Sequence, residues 1–232
     1  MRGREGFAVF AGILLSLCAV PAFGGKFAVY LLMRVMLLGI FALGYNLLLG
    51  QTGLLSFGHG AFYAAGAYGL GFCWLHLSGH PLLGILAGVL AAALLALVVG
   101  FFCVRHTEIY FSMLTLAFGM MVFSLIWNAR EVTGGDDGLV GIMRNPVSLP
   151  GAGKIPIGTD VQYYYFVLIL FALAVLVAHR IRRSPYGLIL SGIRENARRT
   201  EFAGLPLRRY RLSVLVVSGA FAGLAGTLEA LL

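Results

Sequence analysis

Six long, mostly apolar runs constrain this chain more than any other feature: Phe7–Phe23, Phe27–Leu49, Pro81–Cys103, Ile109–Trp127, Tyr163–Ala178 and Leu212–Leu228. Each approaches the ~20 residues a helix needs to cross about 30 Å of hydrocarbon. Backbone amides in lipid must bond within their own segment, so such runs are helices; a transmembrane barrel would show short alternating strands instead. Charged residues make up 11% of the chain, against about 25% in a typical soluble domain, so the chain as a whole suits a membrane. The fold class expected is all-α: one polytopic integral membrane domain over residues 1–232.

Orientation follows from where the basic residues sit. The net charge is +8, which in a soluble protein would suggest nucleic acid. Here nine of the 17 Lys and Arg fall between Arg180 and Arg211, the positive-inside pattern of a cytoplasmic loop. The loop 128–162 is then external, and its Arg130, Arg144 and Lys154 are offset by Glu131, Asp136, Asp137 and Asp160. Arg105, Arg2 and Arg4 fall inside if one further crossing lies between Gly60 and Leu77. The expectation is about seven transmembrane helices, near 7–23, 27–49, 60–77, 81–103, 109–127, 163–179 and 212–231, with the N-terminus cytoplasmic. Arg2 and Arg4 before an apolar run also fit a cleaved signal peptide, but the run is long and lacks an A-x-A site, which favours a retained helix.

Several chemistries find no support. Cys18, Cys73 and Cys103 lie in apolar segments without a CxxC pair and read as small buried hydrophobes. His76 and His80 are four apart, but Gly79 and Pro81 beside them mark a helix end, so no metal site is expected. Gly151-Ala-Gly-Lys154 lacks the first glycine and the Ser/Thr of a P-loop, and no cofactor is expected. Ser56 and His59 lack a nucleophile elbow and an orienting acid, so the chain reads as a non-enzyme. Arg34 and Glu229 are ionisable residues within apolar runs. Arg34 sits about 10 Å into its run at 1.5 Å per residue and either snorkels or faces a partner, while Glu229 has no neighbour evident in the sequence. A proton-coupled carrier would carry more such residues.

Two polar segments are informative. Gly44 to Gly71 holds eight glycines interleaved with Asn46, Gln51, Thr52, Ser56 and His59. One reading is a polar loop followed by a glycine-rich packing face. The other is a re-entrant, broken helix, which is tolerated at membrane depth only against protein or a water-filled path and marks substrate routes. Asn46, Gln51, Ser56 and His59 are the candidates to line such a path. In the basic loop, Ser184 suits an N-cap, Pro185 the first helical residue, and Gly204 with Pro206 a helix stop. Ile189, Ile193 and Ala197 recur at four-residue spacing, and Glu195 and Arg199 have the favourable i,i+4 order. This predicts one short amphipathic helix, lying on anionic headgroups or against a partner.

Taken in order, these motifs resemble a known family. Gly44-Tyr-Asn-Leu-Leu-Leu-Gly-Gln-Thr-Gly-Leu-Leu-Ser-Phe-Gly-His-Gly60, Ile109-Tyr-Phe-Ser-Met-Leu-Thr-Leu-Ala-Phe118, Thr133-Gly-Gly-Asp-Asp-Gly-Leu139, Ser184-Pro-Tyr-Gly187, Ile193-Arg-Glu-Asn196 and Ser218-Gly-Ala-Phe-Ala-Gly-Leu-Ala-Gly226 are similar to branched-chain amino acid ABC transporter permeases, the M-type of the paired subunits. The resemblance runs from about Gly39 to Gly226 and implies a bacterial inner-membrane subunit of an ATP-driven importer. Its implied partners are a second permease subunit, ABC ATPase subunits that bind the ATP, a periplasmic substrate-binding protein and the lipid bilayer, with no nucleic acid. It makes the loop helix a coupling helix docked on an ATPase, with Ile193, Arg194, Glu195, Asn196, Arg198, Arg199, Ala203 and Gly204 as contact candidates. For Thr133–Leu139 it implies an external structural or docking loop, whose paired aspartates fit either a cation or, more simply, a glycine turn. Similar permeases continue beyond the position of Leu232, so the resemblance also implies a truncated chain. Urea and short-chain amide permeases share these motifs. A secondary carrier or a non-transporting membrane scaffold is the alternative from another class.

Overall fold

The computed structural model describes residues 12, 14, 16–21, 25–76, 79–106, 108–135, 137–139, 141–142, 144, 146–149, 153–155 and 158–232. Helices dominate: α1 (Lys26–Thr52), α2 (His59–His76), α3 (Pro81–Cys103), α4 (Glu108–Asn128), α5 (Arg130–Thr133), α6 (Asp160–Arg183), α7 (Pro185–Glu195), α8 (Ala197–Phe202) and α9 (Leu207–Ala230). Among the described residues, five stretches, Lys26–Thr52, Pro81–Cys103, Ile109–Asn128, Asp160–Arg183 and Leu207–Ala230, are long and apolar enough to cross a membrane. The protein is therefore a multi-pass membrane protein. Of the two other expected crossings, that near 60–77 is the 18-residue α2, which is not among these five. That near 7–23 is described only in part: residues 16–21 are helical, with Leu17 and Cys18 carbonyls accepting from the Tyr164 and Tyr165 hydroxyls of α6 at 2.8 and 3.2 Å. Residues 12 and 14 are helical too, and the other positions of that segment lie outside the described residues.

One departure from an all-helical chain falls in the 128–162 loop. Val147–Leu149 and Gly153–Ile155 pair as a two-stranded antiparallel hairpin, with Ser148 opposite Lys154. The hydropathy pattern, dominated by the long runs, carried no sign of three-residue strands. In the same loop, Gly134, Gly135 and Gly138 adopt φ of 77°, 58° and 67°, where a Cβ is strained. This is the geometry of a glycine turn. Thr133 fastens it: its one hydroxyl proton is shared between the Ile126 and Ala129 carbonyls, 2.6 and 2.9 Å away, and its oxygen accepts from the Gly135 N–H. Asp136, half of the paired-aspartate reading, lies outside the described residues.

The last long helix, α9, is the hub and packs on α1, α2 and α3. Small residues permit it. A Cβ at Gly66 would meet the Gly223 backbone, one at Gly88 would meet the Gly66 carbonyl and Thr227, and one at Gly226 would meet the Tyr63 carbonyl. With no hydrophobic force between helices in lipid, this close backbone approach is what holds such helices together. α1 packs on α9 and α6. α6 opens with a capping box between Thr159 and Gln162 and closes with Arg180, Arg182 and Arg183 in its last turn, both favourable for its dipole. Arg144 ties the loop to the hub: it donates to the Leu231 and Leu232 carbonyls at 2.7 and 2.5 Å and pairs with Asp160 at 2.7 Å. α4 lies at the periphery, burying Phe111, Ser112 and Thr115 while Met113, Met120, Phe123 and Leu125 stay exposed, a face suited to lipid or to further protein.

Candidate functional site

The glycine-rich segment resolves into a broken helix. Gly53, in left-handed conformation at φ 74°, closes α1 by donating to the Leu49 carbonyl. Residues 53–58 then run non-helically, with Leu54, Ser56 and Gly58 buried. They are clamped to α4: the Ser112 hydroxyl donates to the Leu55 carbonyl at 2.7 Å, and the Phe57 N–H donates to Thr115 Oγ1 at 3.2 Å. Gly58 lies directly on the Thr115 carbonyl, where a Cβ has no room.

The depth at which α2 begins follows from its first residue. His59 Nε2 lies 3.0 Å from Ser218 Oγ, and Ser218 Oγ donates to the Gly44 carbonyl at 2.6 Å. Gly44 is about two turns before the end of α1, roughly 12 Å at 1.5 Å per residue. Residues 53–58 therefore turn back into the bundle and deliver α2 well below the end of α1. Irregular backbone at such depth is tolerated only where protein or a water path covers it. The geometry shares features of both readings: residues 53–58 turn back into the bundle, and Gly66 and Gly69 then pack directly on neighbouring helices.

A hydroxyl carries one proton, and the Gly44 carbonyl can only accept. Ser218 thus spends its proton on Gly44, and His59 donates through Nε2–H to the Ser218 oxygen. The other ring nitrogen, Nδ1, is buried without a partner, and so is Ser56 Oγ. Both residues are only 3% exposed. The His59 ring is held edge-on among Phe41, Tyr45 and Phe62, with centroids 5.5, 5.1 and 5.2 Å away.

The four path candidates are thus split. Ser56 and His59 lie inside the bundle. Asn46 is exposed and Gln51 half-buried on another side of α1, in a cleft of about 190 Å³ shared with Val175, His179 and Arg182 of α6. Sequence reasoning treated the four as one group because they sit within fourteen positions. The helical turn of α1 followed by the reversal at Gly53 sends them to two places.

The basic loop also departs from the single helix expected. It breaks at Asn196, whose backbone is extended (φ −157°, ψ 96°) and whose side chain accepts from the Arg199 N–H at 3.0 Å, capping α8. Asn is a preferred N-cap, so the signal for a second helix start was present. The break takes Glu195 and Arg199 off a common helix, so their i,i+4 pairing is lost. Ile193 is buried in the core, while Arg194 donates to the Gly50 carbonyl at 2.5 Å, joining α7 to the end of α1. Glu195, Asn196, Arg198, Arg199, Ala203 and Gly204 are exposed, and Gly204 has φ 82°. Sequence reasoning missed Phe202, which is 90% exposed at the tip of α8. A lone aromatic among arginines, off the apolar stripe, was the signal.

A further feature missed is an ion pair between helices. Arg34 of α1 lies 2.8 Å from Glu229 of α9, with side chains 53% and 26% exposed. The Arg34 guanidinium also sits 5.4 Å over the Tyr30 ring, and the Tyr63 phenol interacts with Glu229. The two opposite charges in apolar runs were visible; their meeting across 195 positions was not.

The fold is thus a multi-pass helical membrane bundle in which a broken helix runs beside buried polar groups. The chain belongs to the family described as branched-chain amino acid transport system / permease component, which it matches over residues 27–232. It is 33% identical over 218 residues to the high-affinity branched-chain amino acid transport system permease protein LivM of Escherichia coli K12, covering 82% of this chain and 49% of the relative. It is 31% identical over 245 residues to the LivM protein of Salmonella typhimurium LT2, covering 94% of this chain and 56% of that relative. The chain thus spans about half the length of these curated relatives. No solved structure matches it.

Proposed function

We propose that this chain is one permease subunit of an ATP-driven ABC importer for branched-chain amino acids in a bacterial inner membrane, with its N-terminus cytoplasmic. A periplasmic binding protein delivers the solute, a second permease subunit completes the path, and separate ATPase subunits bind the ATP. The chain itself performs no catalysis. The observation that carries this reading is the Arg194–Gly50 contact. It joins the paired helices α7 and α8 to the end of α1, immediately before the re-entrant segment. A short rigid element attached there passes a rigid-body movement directly to the residues that turn back into the bundle.

In this reading Phe202, Arg198 and Arg199 present the docking surface for the ATPase. Arg194 and Ile193 fasten the element to the membrane helices, Asn196 sets the angle between its two halves, and Glu195 lies at their junction with Ala203 and Gly204 at the far end. Re-entrant residues Ser56 and His59 face the path where buried polar atoms await a partner, and Asn46 and Gln51 line its cytoplasmic side. The test is co-purification of the tagged chain from its native membrane, followed by reconstitution and ATP-dependent leucine uptake. Recovery of an ABC ATPase and a second permease, with uptake that requires ATP, is the expected result. A chain recovered alone, or leucine uptake driven by a proton gradient without ATP, would refute it.

A further inference from the structure

The Arg34–Glu229 pair is an expensive feature for a membrane protein. Arg34 lies two turns into α1, about 12 Å at 1.5 Å per residue, and an arginine at the centre of a spanning helix costs roughly 2.5–3.5 kcal/mol even on insertion scales. Its side chain is nevertheless half exposed. Hydrocarbon cannot cover it without that cost, so the face carrying it meets water or polar groups.

This face continues inward. Glu229 interacts with Tyr63, Tyr63 meets Phe41 edge-on at 5.9 Å, and Phe41 meets His59 at 5.5 Å. Beside His59, Ser56 Oγ and His59 Nδ1 are buried polar atoms without partners. Native interiors rarely leave such groups bare, and each one calls for an explanation. The whole forms one seam among α1, α2 and the end of α9: a charge pair at its outer end, aromatic rings along it and unpaired polar atoms at its inner end.

We infer that this seam is the solute track and that Arg34 and Glu229 are its outer station, recognising the two charged ends of an α-amino acid zwitterion. The inference rests on the proposed function and supplies its recognition chemistry. An amino acid carries a carboxylate and an ammonium one carbon apart. Arg34 offers a planar fork for the first and Glu229 an acceptor for the second. Opening a pair whose atoms are 2.8 Å apart exchanges one ion pair for two, so neither protein charge is left bare in a low dielectric. The rings of Tyr30, Phe41 and Tyr63 then receive the apolar side chain, and the neutral seam beyond accepts a solute whose charges have been matched.

The test uses the assembled transporter in proteoliposomes, with radiolabelled leucine and two competitors: leucinamide, which lacks the carboxylate, and 4-methyl-2-oxopentanoate, which lacks the ammonium. In the wild type neither competes as leucine does. Arg34→Gln raises the KM for leucine about ten- to hundredfold, the scale of a lost charge-assisted hydrogen bond, and leucinamide then competes as well as leucine. Glu229→Gln does the same for the oxo acid. The reversed pair, Arg34→Glu with Glu229→Arg, keeps assembly but not leucine uptake. Wild-type uptake by the reversed pair, or an unchanged KM and selectivity in both Gln variants, would make the pair a structural tie and overturn the inference alone. A wild-type complex that takes up no leucine would overturn the proposed function itself. Where a charge variant fails to assemble, Tyr30→Cys decides: a membrane-impermeant thiol reagent should label it, and leucine should protect it. Labelling that leucine leaves unchanged, or no labelling, counts against the track.

Discussion

Ser218→Ala isolates the contact that sets the depth of the re-entrant segment. The hydroxyl makes two bonds, to the Gly44 carbonyl at 2.6 Å and with His59 Nε2 at 3.0 Å, and is fully buried. Losing the first costs little, because a mid-helix carbonyl retains its i+4 backbone donor. Losing the second leaves the His59 Nε2–H with only the Ser218 backbone to face, on a ring whose Nδ1 already lacks a partner, so the ring becomes poorly satisfied. Hydrogen bonds between membrane helices average about 0.6 kcal/mol in double-mutant cycles, whereas orphaning a buried polar group costs about 1–3 kcal/mol. The expected destabilisation is therefore about 1–2 kcal/mol. His59→Phe removes that donor and keeps a ring for the edge-on contacts with Phe41, Tyr45 and Phe62. The double variant should recover about 1 kcal/mol relative to the sum of the single ones, the coupling expected of residues in contact. Reversible unfolding in mixed micelles, titrated with denaturing detergent and followed by tryptophan fluorescence, measures all three. A Ser218→Ala cost below about 0.5 kcal/mol, or additivity in the double variant, would refute the assignment of the Ser218 proton and the depth argument built on it.

Gly66→Leu should abolish folded protein, because a side chain there meets the Gly223 backbone, whereas Gly60→Ala, where nothing lies within 4 Å of the added carbon, should be tolerated; yield and monodispersity in detergent distinguish them. Phe202→Asp should leave the unfolding midpoint unchanged, within about 0.5 kcal/mol for an exposed position, yet reduce the ATPase recovered with the tagged chain. If the ATPase yield is unaltered, Phe202 is not part of the docking surface. Burial holds the Tyr186 phenol, which shares a 2.7 Å hydrogen bond with Ser213, above its ordinary value of 10.0. A raised acid pKa contributes stability that is complete below the unfolded value and fades as pH climbs through the folded one. The wild type should therefore lose more stability above pH 10 than Tyr186→Phe does; parallel pH profiles would show that the phenol is not buried.

Much of this protein is settled by local chemistry. Apolar runs of helix-spanning length leave the backbone no alternative in lipid, so α1, α3, α4, α6 and α9 are legible without a structure. Ser184 with Pro185 and Gly204 with Pro206 likewise mark the loop helices by capping rules that act over a few residues. Glycines at Gly66, Gly88 and Gly223 announce close packing, although not which helix meets which. What the sequence left open depends on contacts between distant segments. Whether residues 53–58 form a loop or a re-entrant segment depends on Ser112, Thr115 and Ser218, which are 57 or more positions away from the groups they bind. Asn196 breaks the loop helix through its own cap bond to the Arg199 N–H, but where the broken element sits depends on Ile193 in the core and Arg194 on Gly50. Arg34 and Glu229 are two isolated charges in sequence and one ion pair in space. Helix formation in lipid is decided residue by residue, but the partner of each polar group is decided by which helices pack side by side, and only the tertiary structure holds that information.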